Sequence, residues 1–78
     1  MLVFVTIKKR SYVNPLGQFP LECADESEAA IEAAMNPLET AEFGGWVYPV
    51  LERHAGEKLL VVENYPTAQI VAGELVAM

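Results

Sequence analysis

Four segments of this chain have the apolar patterns of β-strands, and one segment between them has the pattern of a short helix. The strand-like segments cover residues 2–9, 18–24, 46–53 and 58–65. In three of them apolar side chains recur at every second position and so share one face of a strand, and the last is almost continuously apolar, as buried strands are. A chain of 78 residues has room for one hydrophobic core. We therefore expect one domain, residues 1–78.

The helix is predicted over residues 26–36. Asp25 is followed three residues later by Glu28, a spacing that satisfies backbone amides at a helix start. Alanines in this segment favour a helix, and Pro37 ends it because proline disfavours helical geometry at the preceding residue. The residues that share its apolar face are Ala30, Ile31, Ala34 and Met35.

The elements follow one another in the order β-β-α-β-β, and each pair of strands is predicted to form an antiparallel hairpin. Residues 66–78 are ambiguous. Their apolar spacing fits a short helix, which we favour, whereas Gly73 and the valines fit an added strand. The sequence predicts an α+β fold, a single small domain in which one main helix packs on one face of an antiparallel sheet.

Charge is distributed unevenly along the chain. There is no lysine or arginine between Arg10 and Arg53. The eight carboxylates of this stretch belong to Glu22, Asp25, Glu26, Glu28, Glu32, Glu39, Glu42 and Glu52. The stretch thus carries eight negative charges within a chain whose net charge is −6. Such a field attracts cationic partners and repels nucleic acid and anionic membranes.

Two interpretations of the acidic stretch remain open, a solvated surface and a surface that binds a Lys- or Arg-rich protein. Asp25 and Glu28 are explained by capping and by the helix dipole. Glu32 repeats the charge of Glu28 one turn later without a nearby base, which destabilises an isolated helix. Glu39 and Glu42 extend the same charge beyond the helix.

Three aromatic residues follow these carboxylates, and aromatic side chains beside carboxylates could anchor a cationic partner. Trp46 and Tyr48 also alternate as strand residues do, so the alternative is that at least one of them packs in the core. The candidate protein-binding residues are Asp25, Glu28, Glu32, Glu39, Glu42, Phe43, Trp46 and Tyr48.

No catalytic, cofactor or metal site is predicted, and we expect the chain not to be an enzyme. His54 is the only histidine and lies in a predicted exposed turn, short of the ligands that a zinc site needs. The run 8–10 of three bases is too short to bind nucleic acid directly. Cys23, the only cysteine, is predicted to face the core. A single cysteine favours a reducing compartment, and no apolar run approaches a membrane span, so we expect a cytoplasmic protein.

In size, acidity, lack of catalytic residues and compact α+β layout, the chain resembles the small phage-encoded inhibitors of bacterial defence, the anti-CRISPR proteins among them. The resemblance implies a monomer or homodimer in the host cytoplasm. Its carboxylates, Glu28, Glu32, Glu39 and Glu42 above all, would stand in for phosphates and block a basic nucleic-acid groove. The alternative is a small oligomeric or accessory subunit that binds through an exposed sheet edge or face.

Overall fold

The computed structural model describes residues 1–78 and contains seven strands and one helix. The helix α1 (Glu28–Met35) lies between the second and third strands in the sequence. Each predicted strand and the predicted helix has a counterpart whose ends differ by no more than three residues. The strands are β1 (Leu2–Lys9), β2 (Gly17–Glu22), β3 (Thr40–Phe43), β4 (Trp46–His54), β5 (Leu59–Val62), β6 (Ala68–Val71) and β7 (Glu74–Ala77).

The strands form one mixed sheet in the order β2-β1-β5-β4-β6-β7, with β3 paired to β4 outside this path. β2 is antiparallel to β1 and β5 is antiparallel to β4, as the two predicted hairpins require. β1 and β5 run parallel, which places Lys9 beside Val62 where both strands end. The first half of β4 pairs with β3 and β6, and its second half pairs with β5.

The predicted fold class is wrong. Strands contain 50% of the residues and the helix 10%, so this is a β-dominated domain and not a balanced α+β fold with one main helix. The sheet is mixed because β1 and β5 are distant in sequence, and no hairpin sets their relative direction. β3 was not predicted, and the hairpin of β6 and β7 replaces the short helix expected within residues 66–78.

Two tight turns account for the strands that the sequence patterns missed. Gly44 and Gly45, with φ of 60° and 82°, join β3 to β4. Ala72 and Gly73, with φ of 51° and 81°, join β6 to β7. Positive φ at both central residues gives the turn that matches the twist of a two-stranded hairpin. Each pair therefore reverses the chain and joins two antiparallel strands.

Helix α1 begins two residues later than predicted because Ser27, and not Asp25, caps it. Ser27 Oγ accepts a hydrogen bond from the backbone nitrogen of Ala30 at 3.2 Å. Ile31 and Met35 are its buried residues, and both belong to the predicted apolar face. No helix in this structure has the length or the apolar character needed to cross a membrane.

One hydrophobic core joins α1 to the first five strands. Burial of each large apolar side chain contributes about 1.5–3 kcal/mol to folding. The ring of Phe43 lies so close to Gly17 that a Cβ atom on this glycine would overlap it. This contact places β3 against β2. The largest fully buried side chains are those of Val5, Ile7, Ile31, Met35, Leu60 and Val62.

The hairpin of β6 and β7 lies outside this core. Its first strand is tied to the start of β4 by two backbone hydrogen bonds, from Thr67 N to Val47 O at 2.8 Å and from Ile70 N to Gly45 O at 2.6 Å. Every residue from 71 to 78 is exposed. The large apolar side chains exposed there are those of Val71, Leu75, Val76 and Met78.

Candidate functional site

Glu28 and Glu32 lie on the same side of α1, as the helical spacing predicts, and line one cavity of about 240 Å³. Arg53, from the end of β4, lines the same cavity. Its Nε donates a hydrogen bond to the backbone oxygen of Met35 at 2.9 Å and does not form an ion pair with either glutamate. The acidic pair that has no neighbouring base in the sequence is thus close to a guanidinium in the folded chain.

Glu28 also touches the turn between β4 and β5. A Cβ atom added at Gly56 would lie 3.2 Å from Glu28 Oε1, so this carboxylate rests against the backbone of the turn. The cavity therefore presents two carboxylates and one guanidinium on one side of the molecule, with Ala55 of the turn in its lining.

Asp25 has a local structural role in the loop before α1. Its Oδ1 accepts a hydrogen bond from the backbone nitrogen of Ser27 at 2.8 Å. Hydrogen bonds from the Ser27 side chain and backbone hold the pKa of the Asp25 carboxyl below its ordinary value. This carboxylate is exposed and stabilises the turn that leads into the helix.

Glu39 and Glu42 lie apart from the pair on α1. Glu42 is exposed on β3, opposite Val47 of β4. At about 3.3 Å per strand residue, Val47 lies about 20 Å along β4 from Arg53. Glu39 precedes β3, and its backbone oxygen accepts a hydrogen bond from Val50 at 2.9 Å. The structure therefore divides the predicted acidic site into a helix part and a β3 part.

The three aromatic candidates contribute mainly to the interior. Tyr48 is buried, and Phe43 and Trp46 are half-buried against the core. Phe43 and Trp46 face each other across the Gly44-Gly45 hairpin. Tyr48 is therefore not available as a surface anchor, and the other two offer only part of their rings to a partner.

The acidic stretch remains largely unpaired in the folded chain. All eight of its carboxylate residues are exposed. The one ion pair of the structure joins the N-terminal ammonium of Met1 to Glu22 at 3.0 Å. Seven carboxylates of the stretch therefore have no cationic nitrogen within 4.0 Å, and their charges contribute to the field outside the molecule.

A cluster that sequence reasoning missed surrounds the ammonium group of Lys9. Its Nζ lies 5.0 Å from the ring centre of Tyr12, 5.5 Å from that of Tyr48 and 6.0 Å from that of Tyr65. These distances are in the range of cation–π attraction. Burial raises the pKa of the Tyr48 hydroxyl, and Tyr12 adds to the shift.

The signal for this cluster was only partly visible in the sequence. Tyr12 follows the basic run 8–10 closely, which suggests an aromatic side chain near the cations. Tyr48 and Tyr65 are remote in sequence, and they meet Lys9 because β5 lies between β1 and β4 in the sheet. Nothing in the sequence patterns specified that order.

The prediction for His54 is wrong, and the prediction for Cys23 is confirmed. His54 is the last residue of β4 and is half-buried, so its prediction as an exposed turn residue is wrong. Cys23 is buried, as predicted, and its Sγ lies 3.6 Å from the backbone oxygen of Leu21.

Comparison with known proteins gives no relative. No protein-family model, no curated protein sequence and no solved structure matches this chain.

Proposed function

We propose that this chain is a small non-catalytic binding module that presents its acidic surface to a protein rich in lysine and arginine. The observation that carries the proposal is the set of seven exposed carboxylates with no cationic nitrogen within 4.0 Å. An ordinary surface intersperses charges of both signs. A one-sign surface attracts a cationic partner over distances comparable with the Debye length.

Glu28 and Glu32 are the proposed centre of this surface. They lie one helical turn apart on a short helix whose buried side is anchored by Ile31 and Met35, so their spacing is rigid. Glu42 on β3 and Glu39 just before it form a second, separate part of the acidic surface. Arg53 weakens the local field and also offers a donor to a partner carboxylate or backbone oxygen, which favours a protein over a simple polycation.

In its more specific form, the proposal is an inhibitor of the anti-CRISPR kind. Its carboxylates would occupy the places of nucleic-acid phosphates in a basic groove of a bacterial defence complex, inside the cytoplasm. Such an inhibitor competes with nucleic acid and needs no chemistry of its own. Added DNA should therefore displace the chain from its partner.

The test reverses charge on α1 with Glu28→Lys and Glu32→Lys together. Binding to an arginine-rich peptide, followed by fluorescence anisotropy at low salt, should weaken at least tenfold, since a rim charge acts mainly on association. The difference should shrink as salt screens the field. The matched control is Glu63→Lys with Glu74→Lys, which makes the same change in net charge at exposed residues outside the acidic stretch and away from the turn that touches Glu28. Equal weakening by the two double variants would contradict a specific acidic site.

A test of inhibition of a defence complex requires the natural partner of the chain. The tagged chain is used to capture proteins from bacterial lysate, and captured nucleases are purified and bound again in the presence of DNA. Competition by DNA, together with loss of capture by the α1 double variant, supports nucleic-acid mimicry. Capture that is indifferent to DNA would contradict it.

The exposed C-terminal hairpin supports a second candidate function, that of an oligomeric or accessory subunit. β7 is the last strand of the sheet, and residues 71–78 expose four large apolar side chains. An open edge strand can add a strand from another chain. Light scattering across a concentration series should then show a dimer that Leu75→Lys disrupts. A monomer at all concentrations would contradict self-association.

A further inference from the structure

The segments that follow the parallel strands β1 and β5 form the walls of an open cavity of about 290 Å³. Arg10 N donates a hydrogen bond to Val62 O at 3.1 Å, and Ser11 N donates to Asn64 Oδ1 at 3.2 Å. The Ser11 hydroxyl bonds the same Asn64 oxygen. Three hydrogen bonds thus hold the two walls together, so the cavity belongs to the fold and is not a gap between loose loops.

This edge of the sheet carries positive charge on an otherwise acidic chain. Arg10 lines the cavity with Glu63. Lys9 does not line it, but its Nζ lies 6.0 Å from the ring centre of Tyr65, which does. These three groups sum to 2 − 1 = +1. Neither cation has a carboxylate oxygen within 4.0 Å, because the single ion pair of the structure lies at the N-terminus. A guanidinium without a protein partner is well suited to bind the oxygens of a phosphate.

Two exposed aromatic rings lie at or near this cavity. Tyr65 lines the cavity and is 77% exposed, and Tyr12 is 51% exposed. Lys9 Nζ lies 5.0 Å from the ring centre of Tyr12 and 6.0 Å from that of Tyr65 and leaves both rings exposed. An exposed ring offers a face on which a planar group can stack. Asn64 adds a donor, because the Ser11 bonds occupy its oxygen and leave its NH₂ group free.

We propose that this cavity binds a small anion attached to a planar ring, with a nucleoside monophosphate as the simplest example. Arg10 binds the phosphate, the Asn64 amide donates to the ligand, and Tyr65 stacks on the base. The volume is near the lower end for small-molecule sites, about 300 Å³, which suits one nucleotide and not a polymer. The site lies apart from the acidic surface and goes beyond the function proposed for it.

The test is a titration of the intact chain with adenosine 5′-monophosphate, followed by NMR shifts of backbone amides. We expect saturable binding below about 10 mM, with the largest shifts in residues 10–12 and 63–65. Adenosine and inorganic phosphate, titrated separately, should each bind at least tenfold more weakly than the nucleotide. Phosphate that binds as tightly as the nucleotide would overturn the ring contact and with it the proposal.

Variants connect the binding to the cavity. Arg10→Ala removes the phosphate donor and Tyr65→Ala removes the stacking ring. Each should weaken nucleotide binding at least fivefold, since a hydrogen bond to a charged group and a base–aromatic stack are each commonly worth that much. Matched controls are Lys58→Ala, an exposed base in the β4–β5 turn, and Phe4→Ala, an exposed ring on β1. Both controls should bind like the unaltered chain. No saturable binding, or shifts confined to other residues, would overturn the proposal.

Discussion

The molecule has two regions that differ in what stabilises them. One is the body, formed by α1 and strands β1 to β5, and the other is the C-terminal hairpin of β6 and β7. In the body, Ile7, Leu60 and Val62 are completely buried. In the hairpin, every residue from 71 to 78 is exposed. The body is therefore stabilised by removal of apolar surface from water. The hairpin depends on its turn and on a few hydrogen bonds to β4.

This difference means that the two regions should respond separately to mutation. Substitutions in the body should change the free energy of global unfolding. Substitutions in the hairpin should change local opening, because regions with little buried apolar surface open without unfolding the rest.

The largest expected contrast is between Ile31→Ala and Leu75→Ala. Ile31 is buried against the core, and its truncation should cost about 2–5 kcal/mol of unfolding free energy. Leu75 is exposed on β7, and its truncation should cost less than about 0.5 kcal/mol. Urea unfolding followed by the fluorescence of Trp46, the only tryptophan, measures both. Similar losses for the two variants would mean that the hairpin is buried in solution, for example in a dimer.

A smaller effect is expected where β2 meets β3. Gly17→Ala should destabilise the body by about 1–3 kcal/mol, because the new methyl group overlaps the Phe43 ring and that ring must move. In a chain that already carries Phe43→Ala, the same substitution should cost much less, and the double-mutant cycle measures the difference. An unchanged cost in that background would show that the packing of β3 against β2 does not depend on this contact.

In the hairpin, Ala72→Asn should strengthen the turn. Ala72 has a φ of 51°, and left-handed geometry costs an ordinary L-residue about 1–2 kcal/mol. Asparagine followed by glycine is favoured in this turn. Amide hydrogen exchange in β6 and β7 should slow about fivefold, or about 1 kcal/mol, while global stability stays the same.

Gly73→Ala is the matched control for this prediction. The site has open space around an added Cβ atom, so only the backbone geometry at a φ of 81° opposes the change. Exchange in β6 and β7 should become faster. A shift in global unfolding with either variant would indicate that the hairpin and the body unfold together.

The smallest expected effect is a loss of stability at low pH in the turn before α1. The pKa of Asp25 is lowered, so its contribution to stability is present above the unfolded value and is lost as pH falls through the folded one. An NMR titration should therefore show the Asp25 carboxyl titrating below about pH 3.9. The amide of Ser27 should shift at the same midpoint, because it donates to this carboxylate. A midpoint at or above the ordinary value would contradict the role of Asp25 in the turn that leads into α1.

Local patterns predicted much of the body but little of its arrangement. Alternation located β1 and β4, and helical spacing placed Glu28 and Glu32 on one side of α1. β3 has four residues, too few for a clear alternation, and Gly44-Gly45 did not reveal by itself which segments it joins. The C-terminal hairpin was missed because its apolar spacing also fits a helix.

For the candidate sites too, some features follow from the sequence and others only from the tertiary structure. The sequence alone determined the segregation of charge and the strand and helix segments of the body, since these depend on neighbours in the chain. The tertiary structure alone decided that Arg53 meets the acidic pair on α1 and that Lys9 meets Tyr65. Both contacts follow from strand order and from the parallel pairing of β1 with β5. Such pairing depends on the burial of the whole core and on loop closure between distant segments, which no local pattern records.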